Sequence, residues 1–508
     1  MPQKPNILLI MSEQTRGDAI GAAPNPYIQT PAIDSLADEG TLFSSTYCTA
    51  PVCVASRCSL VLGQYAHQTG CTANSPMPQE RTSLMERLQD GGYQTHGAGK
   101  MHFTPDSHKL WGYDARDYSE EGGMNEEDDF CNFLRDNGYG HVAAAHGMRG
   151  EYYYLPQPSQ FPERLHHSHW VVDRSLDFLQ QRDEDRPFFL WTSFIKPHPP
   201  FANPVPWNRL YKPTEMPMPY MPQDYEDLWT YWNRYQNRYK WRDQGFDFNH
   251  LRTMKAAYYA ALSFVDYNIG RMLQYLREQN ILDDTLIIYT ADHGEFLGDY
   301  GCFGKRSLLD PAANIPLVVR YPEMFERGQR YNGVVSNVDI APTCLSAAGL
   351  DAAADHAGED LSEIAAGNAA HDEVYVQYDQ EDLGVYGIVT DDWKYWYSTP
   401  DDREWLIRRR EGEWEQRNLA GHKPFDPVLT HLRSRLIEEY RREGYELPLD
   451  GDGWKRYPTK SIPETPDAML LYQDGLSAED LLDRFPPGYE PRCLPGGINF
   501  RKAAQQED

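Results

Sequence analysis

Asn6-Ile7-Leu8-Leu9-Ile10-Met11 is an unbroken apolar run, bounded by Pro5 on one side and Ser12-Glu13-Gln14 on the other. A strand with one wet face alternates apolar and polar residues, whereas a run that stays apolar is buried on both faces, as in a mostly parallel sheet. Runs of this kind recur at Pro187 to Ser193, Thr285 to Thr290 and Ile315 to Arg320. Helical patterns lie between them. Pro31 to Ala37 opens with proline in the first turn, and Thr82 to Leu88 is stopped by Gly91-Gly92. A long pattern from Met254 to Leu276 carries Leu262, Val265, Ile269, Leu273 and Leu276 on one stripe. The alternation predicts an α/β fold, a large mostly parallel sheet sandwiched by helices. In such sheets ligands gather beyond the carboxyl ends of the strands.

The 508 residues divide into a body over 1–370 and a smaller C-terminal α+β unit over 371–508. Val374 to Tyr378 and Tyr386 to Val389 read as antiparallel strands of that unit, and Pro427 to Arg442 as its helix. A Pro/Gly-rich tail beyond Gly451 is expected to extend over the body. About residues 201–250 interrupt the rhythm with Trp207, Tyr211, Tyr220, Tyr225, Trp229, Trp232, Tyr235 and Trp241. This aromatic insertion either stacks on a sugar or aryl ring or packs on the core or a second subunit, which leaves a homo-oligomer open.

Lys and Arg total 48 against 76 Asp and Glu, a net charge of -28, which disfavours nucleic acid and anionic membrane as partners. An anionic substrate would need a locally basic site against that field. No stretch reaches the roughly 18 apolar residues of a membrane span, and Met1-Pro2-Gln3-Lys4 leads directly into the first strand. The expectation is a soluble, cytoplasmic protein. The eight cysteines, at 48, 53, 58, 71, 131, 302, 344 and 493, form no CxxC pair, so neither a disulfide scaffold nor a structural zinc site is indicated.

Chemistry-bearing residues follow the apolar runs. Glu13 and Gln14, after the first, offer the hard oxygen donors that Ca²⁺ or Mg²⁺ prefers. Asp292-His293-Gly294-Glu295 follows the run ending at Thr290, and His198 follows the run ending near Ile195. Gly97-Ala98-Gly99-Lys100-Met101-His102 sets a fixed cation and a proton-transfer group two residues apart, on the same side of an extended segment. Lys305 follows the glycine-studded loop Gly298 to Gly301 and would reach back over the same edge. Cys53-Val54-Ala55-Ser56-Arg57 puts a thiol and a guanidinium one helical turn apart, ahead of Gly63. Asn74 and His67 follow that glycine closely enough to line the mouth of a pocket. Each motif alone has an ordinary structural reading; their order and common placement after strands do not.

In that order the chain resembles a type I sulfatase of the alkaline phosphatase superfamily over about residues 5 to 440. The family pattern is Cys-x-Pro-Ser-Arg followed by Thr-Gly-Arg, matched here by Cys53, Ser56, Arg57 and Gly63, with Tyr65 beyond. Ala55 stands where proline is usual, Gln64 where arginine is usual, and Glu13-Gln14 where a pair of aspartates is usual. The resemblance implies an alkaline phosphatase-like fold and conversion of Cys53 to formylglycine (3-oxoalanine) by a formylglycine-generating enzyme. It also implies a divalent metal, Ca²⁺ by preference with Mg²⁺ or Mn²⁺ as alternatives, held by Glu13, Gln14, Asp292 and His293 and faced by Cys53. By the same resemblance Arg57 clamps the oxidised side chain, Lys100 and Lys305 neutralise the sulfuryl group, His198 protonates the leaving alcohol and His102 accepts a proton. The implied activity is hydrolysis of a small sulfate ester, of a sugar or an aryl or alkyl alcohol. A phosphonate monoester or phosphodiester hydrolase of the same superfamily is the rival, and a non-catalytic anion-ester binding protein is the rival of another class.

Overall fold

The computed structural model describes residues 4–149, 153–241, 247–409 and 414–462. Its main sheet has eight strands: β1 (Asn6–Glu13), β2 (Thr41–Tyr47), β3 (Gln94–Gly99), β4 (Ala115–Tyr118), β5 (Phe188–Pro197), β6 (Thr285–Thr290), β7 (Asn314–Arg320) and β8 (Gln329–Ser336), in the spatial order β8-β2-β7-β6-β1-β5-β3-β4. β1 is central, parallel to β5 through Ile7 opposite Phe189 and to β6 through Ile7 opposite Leu286. β7 alone among these strands runs against the rest, antiparallel to both β6 and β2.

The unbroken apolar run of β1 has the predicted cause. Ile7, Leu9 and Met11 pack on one face with α2 (Cys53–Leu62), α3 (Leu84–Asp90) and α6 (Ile340–Ala347), while Leu8 and Ile10 pack on the other with α1 (Pro31–Glu39), α4 (His167–Gln181) and α5 (Phe248–Glu278). Each such side chain, fully buried, contributes about 1.5–3 kcal/mol.

The C-terminal unit is a four-stranded antiparallel sheet, β9 (Val374–Tyr378), β10 (Val385–Val389), β11 (Trp393–Ser398) and β12 (Arg403–Arg408), with α7 (Asp426–Arg442) on one face. Its other face, carrying Val374, Val376, Trp396 and Trp405, joins the core of the main sheet. Lys394 enters this junction fully buried, and its Nζ donates to Leu308 O at 2.7 Å and to Asp310 and Glu415 at 2.6 Å each. Of the expected extended tail, residues up to 462 cross this unit, with Lys460 N donating to Pro400 O; 463–508 lie outside the described residues.

The aromatic insertion packs inward. Trp207 lies against Phe264 and Tyr267, Tyr211 against Tyr259, Tyr220 against Tyr300 and Trp414, and Trp232 against Tyr378. None of the described rings of this segment lines the cavity at Cys53, so the sugar-stacking alternative gives way to core packing. The cause is the apolar surface of α5 and of the C-terminal sheet, which these rings cover.

Two backbone details set up the edge where ligands are expected. The β1–β5 register shifts between Ser12 and Glu13, a bulge of the sort that re-aims a side chain at the end of a strand. Gly99 closes β3 at φ 87°, where an added Cβ would stand 2.2 Å from Ser193 O. Gly99→Ala is therefore expected to cost at least the roughly 1–3 kcal/mol of a strained backbone site and to shift Lys100, lowering both the denaturation midpoint and the activity. An alanine variant as stable and active as the parent would contradict this.

Candidate active site

Because β1, β3, β5 and β6 are parallel, the segments after them emerge at one edge: Glu13 and Gln14, Lys100, His198, and Asp292 with His293. β2 runs the same way and its continuation delivers Cys53 as the first residue of α2.

Cys53 is 2% exposed at the floor of this edge. Its Sγ donates to Glu13 Oε1 at 3.1 Å, lies 3.2 Å from His293 Nε2 and accepts from Lys305 Nζ at 2.8 Å. His293 Nδ1 is engaged by Gly294 O at 3.0 Å, which turns Nε2 toward the thiol. Lys305 Nζ also lies 3.1 Å from His293 Nε2 and 3.5 Å from Gln14 Oε1. Gln14 donates its amide NH₂ to Glu295 Oε2, so its carbonyl oxygen faces the site. Glu295 is itself fixed by the Tyr154 hydroxyl at 2.9 Å and by Gly304 N at 2.6 Å.

Arg57, completely buried, anchors the floor. Its Nε donates to Asp292 Oδ2 at 3.0 Å, and its Nη1 to Lys100 O at 2.6 Å and Ser193 Oγ at 3.0 Å. Asp292 Oδ1 accepts from Gln14 N at 2.9 Å and His293 N at 3.0 Å. Burial would raise the Asp292 pKa, but His293, Arg57 and Lys305 outweigh it and hold the carboxyl below the usual range. Glu13 goes the other way: burial, and then Glu121, push its proton affinity well up although Lys100 Nζ lies 2.5 Å from Oε1.

These residues fit a divalent cation. Ligand atoms of Glu13, Cys53, Asp292 and His293 all lie within 4.8 Å of one another, and the side chains are buried. Glu13 Oε2, shut off from solvent, has no hydrogen-bond partner among the described residues. A buried carboxylate with an orphan oxygen and raised proton affinity is what a bound cation relieves. A second group, Glu13, Glu121 and His198, has similar spacing. There, however, the Lys100 ammonium bridges both carboxylates and takes a cation's place.

Lys100 and His102 reach the site by a different route from the extended segment expected of them. β3 ends at Gly99, and His102 sits at φ 56°, so a turn brings the two together. Glu120 Oε1 holds the turn, accepting from Met101 N at 3.2 Å and His102 N at 2.7 Å. Burial, then Lys100, depresses the His102 pKa to about 4, and Nδ1 has no partner among the described residues. His198 Nδ1 donates to Pro199 O, 2.6 Å away; its Nε2 lies 3.3 Å from the Tyr153 hydroxyl and 3.5 Å from Glu121 Oε1. Burial holds its pKa well below 6.5.

Cys53, Asn74, His102, Phe103, Glu121, Arg149, His198 and Lys305 are among the residues lining a cavity of about 280 Å³. Asn74 belongs there, its Oδ1 accepting from Val54 N at 3.3 Å. His67 does not. It packs against Tyr65, Tyr375, Tyr440 and Tyr445 in a separate cleft beside the C-terminal unit. Sequence reasoning missed Glu120, Glu121, Arg149 and Glu295 as neighbours of the site. For Glu295 the signal was present, in the DHGE run itself.

A protein-family model described as sulfatase matches residues 5–350, and a second, described as the C-terminal part of N-sulphoglucosamine sulphohydrolase, matches residues 298–442. The chain is 29% identical over 492 residues to an arylsulfatase of Clostridium perfringens, covering 90% of this chain and 99% of that protein. It is 25% identical over 525 residues to an N-acetylglucosamine-6-O-sulfatase of Bacteroides thetaiotaomicron, covering 87% of each. Among solved structures, the phosphonate monoester hydrolase of Agrobacterium radiobacter superposes with a TM-score of 0.75 at 22% identity, over 86% of this chain and 96% of that one. A protein in complex with its substrate D-glucosamine-2-N,6-O-disulfate superposes with a TM-score of 0.71 at 23% identity, over 87% and 98%. These two structures bear on the fold.

Proposed function

The chain belongs to the sulfatase family and is a sulfuric ester hydrolase, and we propose that it releases sulfate from a sulfated sugar using a formylglycine made from Cys53. The observation that carries this is the convergence on Cys53 Sγ of Glu13, His293 and Lys305, each within 3.2 Å and each from a different segment or element. The sugar follows the relatives, one named for N-acetylglucosamine 6-O-sulfate and one solved with a sulfated glucosamine.

Glu13, Gln14, Asp292 and His293 would hold the divalent cation, and the predominance of oxygen donors favours Ca²⁺. When bound, it supplies Lewis acidity and lowers the pKa of a nearby hydroxyl. Oxidation of Cys53 by a formylglycine-generating enzyme would leave an aldehyde, and its hydrate, formed by adding one water, would offer one hydroxyl to attack sulfur and one to expel sulfate. Lys100 and Lys305, both buried, set fixed positive charge against the sulfuryl oxygens, where low dielectric makes such charge worth most. His198 moves a proton at Nε2 on the leaving-group side, and His102 takes one up at Nδ1. Arg57 orients Asp292 and the Lys100 backbone beneath them.

The test is sulfate release from a panel of sulfated sugars and aryl sulfates, with mass spectrometry of the Cys53 peptide after co-expression with a formylglycine-generating enzyme. Expected are the aldehyde and preferential turnover of a sugar ester. Full activity with an intact thiol would overturn the nucleophile, and faster turnover of phosphonate or phosphate diesters would overturn the substrate class. Exhaustive chelation is expected to abolish turnover and lower the melting temperature, since a ligand that binds only the folded state at about 100 times its Kd adds roughly 2.7 kcal/mol. Ca²⁺ restores both; restoration by Mn²⁺ or Mg²⁺ alone would reassign the metal.

A further inference from the structure

The loop that follows the edge strand β4 brings two carboxylates over the site. Glu120 is used up in holding the Met101 and His102 amides, as described above. Glu121 points past it into the cavity. One oxygen, Oε1, is paired with Lys100 Nζ and lies 3.5 Å from His198 Nε2; the other, Oε2, is paired with Arg149. The Glu121 side chain is 13% exposed and that of Arg149 33% exposed, so the pair leads from the buried lysine out to the mouth.

Lys100 is one of the two cations assigned to the sulfuryl group above, and Lys305, the other, lines the same cavity as His198, assigned to the leaving-group side. Against them stands an oxyanion of the chain's own. His198, Lys100, Arg149 and Lys305 overcome the burial of Glu121 and keep its carboxyl well below the usual range, so it stands there as an anion. A sulfate ester carries one negative charge as well. Lys100 already bridges Glu13 and Glu121, so a third anion brought against it must displace one of them, and of the two only Glu121 has, among the described residues, a second cation, Arg149, to move toward.

We propose that Glu121 is an internal counter-ion of the sulfuryl subsite, which an incoming sulfate ester displaces toward Arg149 and which returns to Lys100 as sulfate leaves. The inference rests on the functional reading above for the identity of the anion. It assigns Glu121 a role in how tightly sulfate and sulfate esters are held. The competing role is purely positional, with Glu121 needed to hold Lys100 in place.

The experiment is calorimetric titration of the mature, metal-loaded full chain with inorganic sulfate, comparing the parent with Glu121→Gln and Glu121→Ala. Both variants are expected to bind sulfate about tenfold tighter or more, with a lower KM for the ester and stronger inhibition by product. Thermal melting shows that each variant is folded, and because one variant keeps the side-chain volume and the other removes it, a tightening common to both isolates the charge. Sulfate binding that is unchanged or weaker in both variants overturns the proposal and marks Glu121 as a positioning residue for Lys100. The two readings fail separately. A parent that hydrolyses no sulfate ester but whose variants bind sulfate tighter loses the proposed chemistry and keeps the counter-ion; a parent that hydrolyses esters with no tightening in the variants loses only the counter-ion.

Discussion

Cys53→Ala is expected to abolish sulfate release, by a factor on the order of 10⁴ or more, while leaving the fold intact. The thiol sits at the first position of α2 with Glu13, His293 and Lys305 around it. Removing it takes away the only atom in that ring from which a formylglycine can be made. Alanine is a good helix former and the lost volume is one sulfur, so the change in stability is small beside the change in rate. The check is sulfate release under single-turnover conditions together with a melting curve. Cys53→Ser keeps a hydroxyl but not the aldehyde, so a serine variant close to the parent in rate would remove the need for oxidation. An alanine variant within about tenfold of the parent would remove Cys53 from the chemistry altogether.

Arg57→Met is expected to cost about 3–5 kcal/mol of stability, the penalty for breaking a buried ion pair by removing one partner. The guanidinium and the Asp292 carboxylate are both fully buried and joined at 3.0 Å, and no water can replace the lost charge. Activity falls as well, because Arg57 also fixes the Lys100 carbonyl and Ser193. Lysine at this position keeps the charge but not the planar fork that serves three acceptors, so it rescues only in part. A double-mutant cycle isolates the pair: Arg57→Met combined with Asp292→Asn should be clearly less destabilised than the sum of the single changes. Additivity would show that the two side chains are neighbours without coupling.

The central strands were legible in sequence because burial on both faces leaves nothing to alternate. Strand direction was not. The run Ile315 to Arg320 is as apolar as the others, yet β7 is reversed, since apolarity reports burial and says nothing about which end the chain enters from. β4 went unseen for the opposite reason. Ala115-Arg116-Asp117-Tyr118 pairs with β3 alone, at the sheet edge, where half-exposed polar residues suffice, and with it went any sign that Glu121 follows a strand end. His67 was misplaced because closeness in sequence was read as closeness in space. The ten residues of α2 rise about 1.5 Å each, so the chain beyond Gly63 lies at the far end of the helix from Cys53. Asn74 comes after the chain has turned back.

The Lys394 junction bears on how such enzymes can be recombined. The lysine belongs to the small sheet, but the carbonyl and carboxylate it grips, at Leu308 and Asp310, lie within five residues of Lys305. The two family matches overlap over this same stretch, 298–350. The C-terminal sheet is thus a strut for the catalytic loop and not a detachable cassette. A chimera that imports another family member's C-terminal sheet without a match for the Lys394 contacts at Leu308 and Asp310 loses this strut and leaves the Lys305 loop held from the body alone, through Gln236, Glu295 and Pro51.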